Sequence, residues 1–159
     1  MPKRKILKQL DLPVSKEKFT GDITKDLLAI REILIHIPAE FANVKYMRLK
    51  EGHSIKRHKK NKDKKLIRIH IPLQTAEHVH FYLWDKDIEK HYNLEKGKYY
   101  YVDVSKPHAV HNKAIFDRLH LVVDCYNNPR LENLLKQGDE LEDDICSPIG
   151  FWESKIYIL

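Results

Sequence analysis

The chain has 159 residues, of which 42% are hydrophobic and 33% charged, and carries a formal net charge of +6. That length can close a hydrophobic core without staples, so one domain spanning 1–159 is expected, and Cys125 and Cys146 are read as free thiols in a reducing compartment. No stretch approaches the ~20 apolar residues of a membrane span and no N-terminal apolar run has signal-peptide length, which makes a soluble, cytoplasmic protein the expectation.

The first predicted element is an amphipathic helix over 22–35, where apolar residues recur at three- and four-residue spacings and Asp22 or Thr24 can serve as N-cap. It should pack on the outside of a sheet. From Val44 onward the pattern turns to β, with strands predicted over 45–49, 66–73, 78–84, 98–103 and 118–126, separated by turns containing Gly52, Gly97 and Pro107. Five strands with no helix between them exclude a doubly wound fold and favour a barrel or jelly roll. A short helix over 130–136 should end near Gly138, followed by an exposed acidic loop over 138–144. The apolar stretch 151–159 must dock on the barrel or on a second copy of the chain, since left in water it would be an aggregation-prone patch.

The run 56–65 holds most of the excess positive charge. It contains no aromatic residue on which bases could stack, so a solvated loop is preferred to a nucleic-acid site. More informative is the strand that follows it. Successive side chains of a strand face opposite ways, so Ile67, Ile69 and Ile71 share one face while Arg68 and His70 share the other. An inward cation without a partner is costly, and such a strand suits the wall of a small barrel that holds a charged ligand.

Several segments, in this order, resemble the aspartyl/asparaginyl β-hydroxylase family of Fe(II)- and 2-oxoglutarate-dependent dioxygenases, which includes relatives of proline cis-4-hydroxylase. They are the segment 46–55 leading into His58, then Arg68-Ile69-His70-Ile71-Pro72-Leu73, the segment 94–98, Pro107-His108-Ala109-Val110-His111-Asn112, and the segment 118–124 beginning at Arg118. The resemblance covers about 44–129. It implies a mainly β, double-stranded β-helix (jelly-roll, cupin-like) fold with an N-terminal helix and a short C-terminal helix. It also implies hydroxylation of an amino acid or a peptide side chain with O2, Fe(II) and 2-oxoglutarate.

On that resemblance His58 and His108 are the two imidazole ligands of the metal. Arg118 grips the distal carboxylate of 2-oxoglutarate, and Arg68 and His70 contact the cosubstrate or the substrate carboxylate. A planar guanidinium suits a carboxylate because it can bind both oxygens at once. An ion pair to Asp117 or Asp124 is the competing role for Arg118. His120 and Asn112 are candidates to line the pocket, whereas His78, His80 and His111 are not assigned to it. The chain departs from the usual pattern at Lys60, which stands two residues after His58 where most of these enzymes carry an aspartate. Lys60 cannot ligate while protonated. Either it turns to solvent and a water completes the site, as in the vertebrate-type aspartyl β-hydroxylases that use two histidines, or Asp63 substitutes, or the metal is lost. The last case gives the alternative reading: a catalytically inactive cupin-like protein that binds an anionic ligand.

Overall fold

The computed structural model describes residues 7–60 and 65–141. In chain order the elements are β1 (Leu7–Gln9), α1 (Ile23–Leu34), β2 (Phe41–Leu49), β3 (Ser54–His58), β4 (Leu66–Gln74), β5 (Val79–Asp85), β6 (Ile88–Tyr92), β7 (Tyr100–Val102), β8 (His108–Asn112), β9 (Arg118–Tyr126), α2 (Pro129–Gln137) and β10 (Asp139–Glu140). Two antiparallel sheets result, one in the order β10-β1-β7-β4-β9-β2 and the other in the order β3-β8-β5-β6. The protein is thus mainly β, with a jelly-roll barrel formed by two facing sheets and two helices outside it.

Side-chain alternation separates two cores. Leu7, Leu49, Tyr100 and Val102 of the larger sheet meet Val79, Phe81, Leu83, Tyr92 and Val110 of the smaller one inside the barrel. On the other face of the larger sheet, Ile67, Ile69, Ile71, Leu73, Leu119, Leu121 and Val123 pack under Ile30 and Ile33 of α1 and Leu131 and Leu135 of α2. Cys125 lies in this second core with no exposed surface.

Helix α1 starts where Asp22, in extended conformation, accepts a hydrogen bond from the Thr24 amide. Asp26, in its first turn, is 2% exposed and accepts from the Thr20 and Gly21 amides and from the Tyr46 hydroxyl at 2.6 Å. Burial alone would raise the Asp26 pKa, but these donors hold it below the ordinary carboxylate value. The helix is thereby clasped to β2. Helix α2 is capped in the same manner by Asn128, whose side chain accepts from the Leu131 amide, with Pro129 opening the first turn.

Where strands differ from the expected ones, the cause is local chemistry. Strand β6 was hidden by a charged turn: Lys86 and Asp87 take positive φ values of 50° and 66° and close a two-residue hairpin without the glycine that usually announces one. Strand β3 was hidden inside the basic run. It is an edge strand, where charge discourages further pairing, and its register shifts between Ile55 and His58. The run expected to be a loop is therefore strand through His58. Strands β1 and β8 went unrecognised as well, and β10 pairs with β1 inside the segment expected to be an acidic loop. Strand β2 begins at Phe41, earlier than its apolar pattern suggested, whereas β7 is limited to three residues. Gly97 is required as glycine: its φ is +78°, and a Cβ there would meet the Ser15 carbonyl oxygen at 2.1 Å.

No helix among the described residues is long and apolar enough to cross a membrane. Cys146, Asp63 and the apolar stretch 151–159 lie outside the described residues.

Candidate metal and cosubstrate site

Alternation along β4 and β9 builds the polar interior. Arg68 stands opposite Asp124, His70 opposite Val122 and Pro72 opposite His120, so the inward face of the pair carries Arg68, His70, His120 and Asp124, with Arg118 at the start of β9. From Arg118 to Asp124 this face runs about 20 Å at the rise of an antiparallel strand. Cations and imidazoles therefore span the depth of the barrel.

Across the interior, His58 at the end of β3 faces His108 at the start of β8. Their ring centroids are 4.2 Å apart with an interplanar angle of 57°. Each ring is oriented by a main-chain carbonyl two residues back: His58 Nδ1 lies 2.7 Å from the Lys56 oxygen and His108 Nδ1 lies 2.9 Å from the Lys106 oxygen. A carbonyl only accepts, so both Nδ1 atoms carry the proton, and in the neutral rings both Nε2 atoms offer lone pairs. This is the arrangement in which protein imidazoles bind metals. Pro107 helps to fix the approach, since its carbonyl accepts from the Trp84 amide at 2.9 Å. His108 is 7% exposed. Burial pushes its pKa down, and His58 and Arg68 add to this against the pull of the Lys106 carbonyl and Asp103, which favours the neutral, ligating form.

The carboxylate position is filled as the sequence reads. Lys60 is exposed, and its amide donates to the Val104 oxygen at 2.9 Å, holding the chain beside the barrel just after β3. Among the described residues no group of three His, Cys, Asp or Glu side chains is placed to hold a metal ion. The donor set is two imidazoles, which suits a divalent ion that keeps water at its remaining positions.

Arg118 is 3% exposed, and its Nε has no hydrogen-bond partner among the described residues. Neither carboxylate considered for it is used there. Asp117 accepts from the Glu51 amide and pairs with Arg48 at 3.5 Å, while Asp124 binds Arg68 with both oxygens, at 2.9 and 3.0 Å. Burial pushes the Arg118 pKa down to about 10, so the guanidinium is still a cation at neutral pH. It borders a small cavity with Thr75, Val79, Phe81, Leu94, Val110 and His120. A buried cation with apolar walls on most sides is a strong attractor for a carboxylate. Beside it, His70 and His120 stand with their Nδ1 atoms 3.4 Å apart. Burial first, and Arg118 next, push both well below the ordinary imidazole value, so both are neutral donors and acceptors.

Arg68 faces the same interior, but its bidentate pairing with Asp124 commits much of its hydrogen-bonding capacity to the protein. The Asn112 side chain is structural: its amide donates to the Leu49, Lys50 and Phe116 carbonyls and tethers the loop before β9. His80 and His91 meet on the outer face of the smaller sheet at 2.7 Å, and His78 lies exposed beside Glu77. Sequence reasoning missed Phe81 and Thr75 in the cavity wall, and missed that Asp124 belongs to Arg68. The signal for Asp124 was present, since it continues the i, i+2 series of Arg118 and His120.

No curated protein matches the sequence. Among solved structures the chain is similar to a nickel complex of the non-heme monooxygenase ThoJ, with 12% identity, 62% of this chain and 49% of that chain covered, and a TM-score of 0.46. It is similar also to a Pseudomonas putida prolyl-4-hydroxylase, with 17% identity, 67% and 63% covered, and a TM-score of 0.44. A cupin domain from Bordetella pertussis gives 16% identity, 57% and 88% covered, and a TM-score of 0.43. The chain spans about half the length of the ThoJ chain it matches. The family model of aspartyl/asparaginyl beta-hydroxylase matches residues 15–128, well over half of the chain, and the protein therefore belongs to that family of hydroxylases.

Proposed function

We propose that the protein is an Fe(II)- and 2-oxoglutarate-dependent oxygenase that hydroxylates an amino acid or a peptide side chain. His58 and His108 would hold the iron through Nε2, with water in place of the missing carboxylate. Arg118 would bind the distal carboxylate of 2-oxoglutarate, with neutral His70 and His120 beside it. When bound, the iron and keto acid supply the oxidising power that inserts one oxygen atom of O2 into a C–H bond and releases succinate and CO2. The chain's own residues do the rest. The Lys56 and Lys106 carbonyls hold the two imidazoles in the ligating tautomer, and the guanidinium would pair with the distal carboxylate of the keto acid. Phe81, Val79 and Val110 keep water from the deep end.

The observation that carries this reading is Arg118, a buried guanidinium whose Nε lacks a partner among the described residues, in the same barrel as two carbonyl-oriented imidazoles. Succinate formation from 2-oxoglutarate, measured under Fe(II) and air with and without a panel of amino acids and peptides, tests it. Turnover above a metal-free control is expected, and Arg118→Ala should abolish it while iron still binds. Failure of the wild-type protein to bind iron would overturn the reading. Lys60 at the carboxylate position favours the second reading, a non-catalytic binder of an anionic ligand. Lys60→Asp separates the two: tighter iron binding supports a water-completed metal site, and no binding by either protein supports the binder.

A further inference from the structure

The barrel is open along one side. Strand β2 ends the larger sheet and β3 ends the smaller one, and among the described residues no hydrogen-bonded ladder joins these two edges. The inward face of β2 shows the opening directly. Lys45 stands opposite Val122 and Met47 opposite His120, in phase with Leu49, which belongs to the interior core. Yet Met47 is 39% exposed while its cross-strand neighbour His120 is 2% exposed. Lys45 is exposed too. An inward-facing strand surface in contact with water is the wall of a slot, and exposed Lys60, just after β3, lies near enough for its charge to reach the same Asp124.

The floor of this slot is the Arg68–Asp124 pair. Burial alone would raise the Asp124 pKa, but Arg68 reverses this, and the charges of Lys60 and Lys45 also reach the carboxylate. One carboxylate thus stands among three cations, and Arg68 engages both of its oxygens. Among the described residues no ion pair neutralises Lys45 or Lys60, and both ammonium groups remain exposed. Lys56 in β3 and Lys59 just after it, both exposed, carry the same sign.

We propose that this slot seats an extended acidic peptide, with Lys45 and Lys60 binding carboxylates that flank the residue presented to the interior. Charge complementarity selects the occupant, since an exposed lysine offers little to a neutral peptide but forms charge-assisted hydrogen bonds with Asp or Glu side chains. The lysine at the usual carboxylate position then has a positive use: it reads the substrate. The inference rests on the proposed oxygenase site, but binding to metal-free protein tests it apart from turnover.

The experiment is a fluorescence-anisotropy titration of the metal-free protein with three labelled peptides of equal length, one flanked by Glu, one by Gln and one by Lys, at low and at moderate salt. The Glu-flanked peptide should bind at least about tenfold tighter than the Gln-flanked one, and salt should shrink the gap. Lys45→Gln and Lys60→Gln should each narrow the preference, and the double Lys45→Glu, Lys60→Glu variant should favour the Lys-flanked peptide. Lys25→Glu, an exposed change on α1, should alter nothing. Equal binding of the Glu- and Gln-flanked peptides would overturn the proposal. So would an unchanged preference in both lysine variants, or displacement by an oligonucleotide of equal charge as readily as by the peptide. Selective binding without succinate formation would sink the oxygenase reading and leave this one standing.

Discussion

The two faces of the β4–β9 pair share a backbone and nearly the same burial, yet they solve opposite problems. Outward, Ile69, Ile71, Leu121 and Val123 have no exposed surface and meet only hydrocarbon. Inward, one residue out of phase, His70, His120, Arg118 and Asp124 are nearly as secluded and Arg68 is half-buried, yet all keep their polar groups poised. Burial by itself therefore says little about role. What separates the faces is whether each polar atom is satisfied by the protein, and Arg118 Nε is left waiting for something else.

Substitutions on the two faces should diverge accordingly. The largest loss of stability is expected outward: Leu121→Ala should cost about 2–5 kcal/mol in chemical denaturation. Asp124→Ala follows, at roughly 3 kcal/mol, because it strands the Arg68 guanidinium in a largely buried place. At Arg118 the sign should reverse. Arg118→Met exchanges a secluded cation with an unpartnered Nε for hydrocarbon and should stabilise the metal-free protein by about 1–2 kcal/mol. The same variant should lose the rise in melting temperature that the proposed function expects 2-oxoglutarate with Fe(II) to give the wild type. A neutral or destabilising Arg118→Met would mean that the guanidinium is already paired, and the contrast between the faces would fail. The smallest effect on stability is expected at exposed His58, where replacement by Ala should stay within about 0.5 kcal/mol while removing iron binding in equilibrium dialysis.

Acid should find the buried histidines first. Burial holds His70, His108, His111 and His120 below the ordinary value of 6.5, with His111 at about 4. Between those lowered values and 6.5 the unfolded chain takes up protons that the folded chain refuses. Stability of the metal-free protein should be complete above that range and fall as the pH is lowered through it. A thermal midpoint that does not drop between neutral and mildly acidic buffer would show that these rings are more accessible than the fold implies.

Much of this arrangement was legible before any coordinates. Strand β9 was bounded at both ends by its own pattern, and the alternation that put Arg68 and His70 opposite the isoleucines is the alternation seen in the fold. What escaped were elements whose sequence obeys a different rule. Strand β3 carries the charges of an edge, and β6 follows a turn made by Lys86 and Asp87 where glycine or asparagine would have given the signal. Within the site, the split between Arg68 and Arg118 was not readable. Both stand in phase with Asp124 or beside Asp117, and only register decides which guanidinium takes which carboxylate.

Cys125, sealed in the outer core beneath α2, offers a clock for breathing of that layer. Burial, with Asp124 adjacent, pushes its thiol up to about 12, so the sulfur stays protonated and unreactive while the layer is shut. In a Cys146→Ser background, the speed of alkylation would report how often α2 lifts from the sheet. Because Cys125 directly follows Asp124, the same readout would reveal whether seating a ligand in the barrel quiets the opposite side of its wall.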